Sequence, residues 1–104
     1  MALQFDVAEN LAPDRTSTYP LLLVLQHDRA GLIATVIVAP LVPADIGPLP
    51  SRLQPLVTVR GRKYVVLVSQ LAAVPKRAIG HAVGNVMEFR YEIVAALDLL
   101  FTGV

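Results

Sequence analysis

Residues 56–69 read Leu-Val-Thr-Val-Arg-Gly-Arg-Lys-Tyr-Val-Val-Leu-Val-Ser. Val57 and Val59 alternate with Thr58 before an Arg60-Gly61-Arg62 turn, and Tyr64, Val66 and Val68 repeat the period of two after it. Two β-branched runs joined by a short glycine turn read as a β-hairpin. The fold class therefore starts from strands. The basic cluster Arg60, Arg62 and Lys63 surrounds the turn and reads as a solvated hairpin tip.

The chain upstream has the same character. Leu3, Phe5 and Val7 alternate with Gln4 and Asp6, the pattern of a half-buried strand over residues 3–7. A turn-rich stretch with Pro13, Asp14, Thr16 and Ser17 leads into the apolar run of residues 19–28, Tyr-Pro-Leu-Leu-Leu-Val-Leu-Gln-His-Asp. Residues 33–41 are rich in β-branched side chains and are expected to stop near Pro40, with Gly31 turning a hairpin between the two runs. Residues 40–55 hold five of the eight prolines, so they cannot form a central strand and read as a long loop or a corner between sheet segments.

Downstream the period changes. Asn85, with Glu88 three residues on, fits an N-cap with a capping-box partner, and no Gly or Pro follows until Gly103. On a helix, Val86, Phe89, Ile93, Ala96, Leu97 and Leu100 share one face, and Met87, Tyr91, Val94 and Phe101 form a second stripe beside it. The two together span an arc of about 200°, roughly twice what one-sided packing requires. One face suits the chain's own sheet; the second, interrupted by Arg90 and Asp98, suits a partner chain, because an unpaired charge inside a monomer core is costly.

Composition narrows the function. At 104 residues the chain reads as one domain, residues 1–104. It is 55% apolar and 16% charged, and a homodimer interface is the expected sink for that excess. The longest apolar stretch, residues 32–42, is about half of a membrane span and contains Pro40. Asp6 and Glu9 stand where a signal peptide carries basic and apolar residues. With no cysteine as well, a cytoplasmic location is expected. A net charge of +1 does not suit independent, direct nucleic-acid binding.

Catalytic signals are weak. His27 and His81 are far apart in sequence without ligand spacing, so no metal or cofactor is expected. Glu88 and Glu92 lie one turn apart on what reads as a solvated face. The two glycines of residues 80–84 have no phosphate-loop context. From the residues alone the chain is a mainly β domain with a C-terminal helix that acts as a binder, not an enzyme.

Read in order, a set of landmarks resembles the CcdB family of bacterial toxins. They are Gln4-Phe5-Asp6-Val7, Gln26 with Asp28, Ala39-Pro40-Leu41, Leu53-Gln54-Pro55, Ala73-Val74-Pro75, Ile79-Gly80, and Phe101 with Gly103. The resemblance runs nearly end to end, and its weight lies in the order and spacing of the pieces. It implies an SH3-like antiparallel barrel, CcdB- or MazF-like, with a small extra sheet and a C-terminal α-helix, assembled as a homodimer. It also implies the toxin of a type II toxin-antitoxin module, which binds the A subunit of DNA gyrase, traps its cleaved-DNA state and is neutralised by a CcdA-like antitoxin.

The resemblance assigns the gyrase contact to Asp98, Phe101, Thr102, Gly103 and Val104, beside the two-fold axis, and the dimer interface to Met87, Tyr91, Val94 and Phe101. The family's chain end usually reads Phe-Trp-Gly-Ile, so Phe101 and Gly103 match, Val104 is a near match and Thr102 replaces a tryptophan. Asp98 likewise replaces an amide. These two departures leave open a homologue that binds an antitoxin without poisoning gyrase. MazF- and Kid-like barrels cut RNA with groove residues, a role for which Arg60, Arg62 and Arg90 are the candidates here. Each end residue also has a plain structural reading: Phe101 closing the core, Gly103 stopping the helix, Val104 packing on a neighbouring chain.

Overall fold

The computed structural model describes residues 3–12, 19–28 and 34–103. The expected turn at Pro13, Asp14, Thr16 and Ser17, the hairpin bend at Gly31 and the site residue Val104 lie outside them. Among the described residues, seven strands and one α-helix follow in chain order: β1 (Asp6–Asn10), β2 (Leu21–Val24), β3 (Thr35–Pro43), β4 (Leu56–Val59), β5 (Arg62–Val66), β6 (Ala72–Pro75), β7 (Ile79–Asn85) and α1 (Arg90–Thr102). All pairings are antiparallel, in the order β4-β5-β3-β2-β1-β7, with β6 also on β3. The fold is mainly β, a sheet curled into a half-barrel with a C-terminal helix, as the CcdB- and MazF-like expectation has it.

β3 is long because it serves two partners. Thr35–Val38 pair with β6, and Leu41–Pro43 pair with β5, so the smaller β4–β5 sheet is continuous with the main one through this strand. Pro40 sits at the changeover and does not end the strand, contrary to the sequence expectation. In an antiparallel ladder a residue's N–H and C=O point to the same side. Pro40 therefore lacks a donor where β6 has ended and β5 has not begun, while its carbonyl accepts the Leu67 N–H at 2.9 Å.

The β4–β5 hairpin forms as expected, around Arg60 (φ 51°) and Gly61 (φ 80°). Positive φ at both central residues is the two-residue geometry whose twist matches the flanking strands. The N-terminal strand is displaced from its expected place. Its alternation over residues 3–7 is interrupted by a turn in which Phe5 takes φ 67° and is buried, while Leu3 stays half exposed, and β1 starts only at Asp6. The reason is local: the Asp6 carboxylate accepts the Leu3 N–H at 2.8 Å, closing a turn where a strand would have continued.

Leu23, Leu41, Val57 and Val66 fill the inside of the curl and are fully buried. Ile93 and Ala96 of α1 join this core, with Phe89, Leu97 and Leu100 packed partly against it. The two ends of the sheet approach each other at Gly84 of β7, where a Cβ would stand 3.0 Å from Val59 Cγ1 of β4. A second apolar cluster, Leu22, Val24 and Val38, lies apart from the first, with Val36, Val74 and Ile79 packed on it.

Candidate functional site

The helix end is set by two backbone devices. Gly103 takes φ 78°, and its N–H reaches the Leu99 carbonyl at 3.0 Å, the left-handed stop that glycine favours. One residue earlier, Thr102 Oγ1 donates to the Asp98 carbonyl at 2.6 Å. The threonine hydroxyl is thus turned back onto its own helix. Phe101 projects outward, 69% exposed, so it does not close the core. Phe101, Thr102, Gly103 and Asp98 are brought together on one exposed helix end.

The second helical stripe is also on the surface. Tyr91 is 80% exposed and Met87 51%, while Val94 is only partly buried and packs on the core edge. Arg90 and Asp98, which interrupt the same stripe, are also exposed. Of the expected interface residues, Val94 is therefore shared between the core and the outer face.

The start of the helix departs from the expected capping box. Asn85 Oδ1 accepts the Met87 N–H at 2.8 Å in an Asx turn that leads into a 3-10 turn over Met87–Phe89, and neither that turn, at its N-cap Val86, nor α1, which begins at Arg90 with N-cap Phe89, has a side-chain cap bond. Asn85 Nδ2 meanwhile donates to Asp6 Oδ1 at 2.9 Å. One asparagine therefore ties the N-terminal turn to the entry of the helix. Replacing it by alanine removes both bonds, and Asn85→Ala is expected to lower stability by about 1 kcal/mol, measured as a fall in thermal midpoint.

Several residues that carried the sequence resemblance hold backbone in place. Gln4 N–H donates to Asp28 Oδ1 at 2.8 Å, Gln4 Nε2 donates to the Leu25 carbonyl at 3.0 Å, and Gln26 Oε1 accepts the Ile37 N–H at 3.3 Å. These bonds pin the end of β2 to the N-terminal turn and to β3. Their spacing in sequence reflects register between neighbouring strands.

His27 and His81, far apart in sequence, line one groove of about 630 Å³ together with Glu9, Asp28 and Lys76. Among the described residues no group of three or more His, Asp and Glu side chains could hold a metal ion. A second groove, of about 580 Å³, runs between Tyr91 and Glu92 of α1 and the proline-rich loop at Pro50, Arg52 and Pro55. That loop displays Ile46 and Leu49, 75% and 86% exposed. Neither groove was visible in the sequence, because both are assembled across segments distant along the chain. Of the three arginines considered for RNA, Arg62 lies 5.6 Å from the Tyr64 ring centroid and 3.9 Å from Asp45, Arg60 occupies the hairpin turn, and Arg90 begins α1.

The model of the CcdB protein family matches residues 4–103, nearly the whole chain. The chain belongs to the CcdB family. No curated protein sequence matches this CcdB-family chain. Among solved structures, it is similar to the endoribonuclease of a mycobacterial species in complex with its cognate antitoxin. The TM-score is 0.76 at 15% identity, covering 96% of this chain and 94% of that one. An Mtb toxin is similar at TM-score 0.65 and 16% identity, covering 94% of this chain and 99% of that one. At these identities the likeness is one of fold. No helix among the described residues is long and apolar enough to cross a membrane.

Proposed function

We propose that this CcdB-family chain is the toxin of a type II toxin-antitoxin module, a cytoplasmic homodimer that binds the A subunit of DNA gyrase and traps the cleaved gyrase–DNA complex. A CcdA-like antitoxin neutralises it. The observation that carries the reading is the exposed Phe101 beside the Gly103 stop, an aromatic anchor held outward by a capped helix end. The toxin works by binding and performs no bond-breaking chemistry of its own. Its test is a DNA cleavage assay with purified gyrase and ATP, comparing the native chain with Phe101→Ala and Thr102→Trp. Cleaved DNA with the native chain and none with Phe101→Ala is the expected result. Failure of the native chain to accumulate cleaved DNA overturns gyrase poisoning.

A second reading is supported by the inward hydrogen bond of Thr102. Its hydroxyl is committed to the Asp98 carbonyl, and its small side chain offers a partner little area where the family has a tryptophan. On this reading the chain binds an antitoxin but not gyrase, and only Thr102→Trp poisons. An RNA-cutting role is disfavoured by the net charge of +1. Single-stranded RNA incubated with excess protein is expected to stay intact; specific cleavage would return the chain to the enzymes.

A further inference from the structure

Along β2, Leu22 and Val24 alternate with Leu23, so they face away from the core that α1 joins. Val24, with Val36 and Ile79 of the same second cluster, lines the groove of about 630 Å³ that also holds His27 and His81. Half-exposed Leu3 and Leu11 stand at its rim. None of the described lining residues belongs to α1, so this groove is separate from the helix end at Phe101.

An irregularity between β1 and β7 shapes one wall. Ala8 pairs with Ala82 and Asn10 with Ile79, so Glu9 alone stands opposite two residues, Gly80 and His81. That count is a β-bulge, a device that re-aims side chains. Gly80 allows the strands to close at this point, because a Cβ there would stand 3.0 Å from Glu9 Cβ and 3.1 Å from Leu11 Cδ2. The charges of the groove are unbalanced: Glu9 and Asp28 supply two carboxylates against the ammonium of Lys76, with the histidines counted as neutral. Among the described residues the Glu9 carboxylate has no donor, and the Asp28 carboxylate accepts only the Gln4 N–H, on Oδ1. Both oxygens of Glu9 and Oδ2 of Asp28 are therefore open to a ligand.

We propose that this groove binds a small organic cation, with its ammonium at the exposed carboxylates of Glu9 and Asp28 and its apolar body over Val24, Val36 and Ile79. The volume is in the range of small-molecule sites, which combine an apolar lining with a few polar groups that fix orientation. A bare metal ion suits the groove poorly. Among the described residues no group of three His, Asp and Glu side chains could hold one, and an ion would leave the apolar floor uncovered. An organic anion would meet a lining of its own sign. The proposal goes beyond the toxin reading and does not depend on it.

The test is a heteronuclear NMR titration of the full native chain with three probes that share one apolar body: hexylammonium, hexanol and hexanoate. Hexylammonium is expected to shift the amides of Glu9, Asp28 and residues 79–82, and to bind about fivefold more tightly than the other two, the scale of an exposed charge pair. Glu9→Gln combined with Asp28→Asn is expected to remove that preference while hexanol binds as before, since the amide at residue 28 can still accept the Gln4 N–H. Lining amides that stay unmoved at millimolar probe overturn the site. Equal affinity for the three probes, a preference for hexanoate, or a preference for hexylammonium that survives the double variant overturns the placing of an ammonium at these carboxylates.

Discussion

Replacing Ile93 by alanine is expected to lower the free energy of unfolding by about 3 kcal/mol. Ile93 is fully buried and belongs to the same core cluster as Leu23, Leu41 and Val57, so it is the point at which the helix enters the barrel interior. Removing its side chain leaves a cavity that the close-packed strands beneath cannot easily collapse to fill. A domain of this size has about 5–15 kcal/mol of stability in total, so this one change removes a substantial share. The measurement is a urea titration. A fall in the midpoint with an unchanged slope carries the prediction, and a loss below about 1 kcal/mol would show that the helix is not anchored there.

Phe101→Ala is expected to behave in the opposite way. The residue is 69% exposed in the single chain, so unfolding of the single chain should change by no more than about 0.5 kcal/mol. Binding to the gyrase A subunit, in contrast, should fall by roughly 30-fold, the loss of about 2 kcal/mol typical of a central aromatic anchor. The same stock of protein gives both readings, by urea titration and by cleaved-DNA yield. A variant as unstable as Ile93→Ala would assign Phe101 to a contact that holds the fold together, within the chain or between protomers. A stable variant that still poisons at native concentrations would move the gyrase contact elsewhere on the surface.

Much of the scaffold was legible because it is locally encoded. The β4–β5 hairpin declares itself by its period and by the Arg60-Gly61 turn, and the helix by its unbroken apolar face. Where reading failed, a bond or pairing that the apolar pattern does not announce decided the outcome. The alternation at Leu3–Val7 looked like a strand, yet the Asp6 carboxylate folds it into a turn, and Asn85 holds that carboxylate from far along the chain. Pro40 looked like a strand end because nothing in the sequence says that β3 changes partners there. At the candidate site, Phe101 and Gly103 were legible from the resemblance. The inward turn of Thr102 was not, because a threonine's rotamer on a helix is chosen by local hydrogen bonding that the residue type leaves open.

The approach of Gly84 to Val59 bears on how the protein stays in solution. β4 and β7 are the two ends of the sheet path, each with a row of backbone groups on which another chain's strand could add. Gly84 lets the ends draw together, so that each strand shields the other. A side chain at this position would press on the Val59 methyl, which would have to give by a few tenths of an ångström at the seam beside the apolar strand Leu56–Val59. The closeness of the two sheet edges thus rests in part on the absence of a methyl group at residue 84.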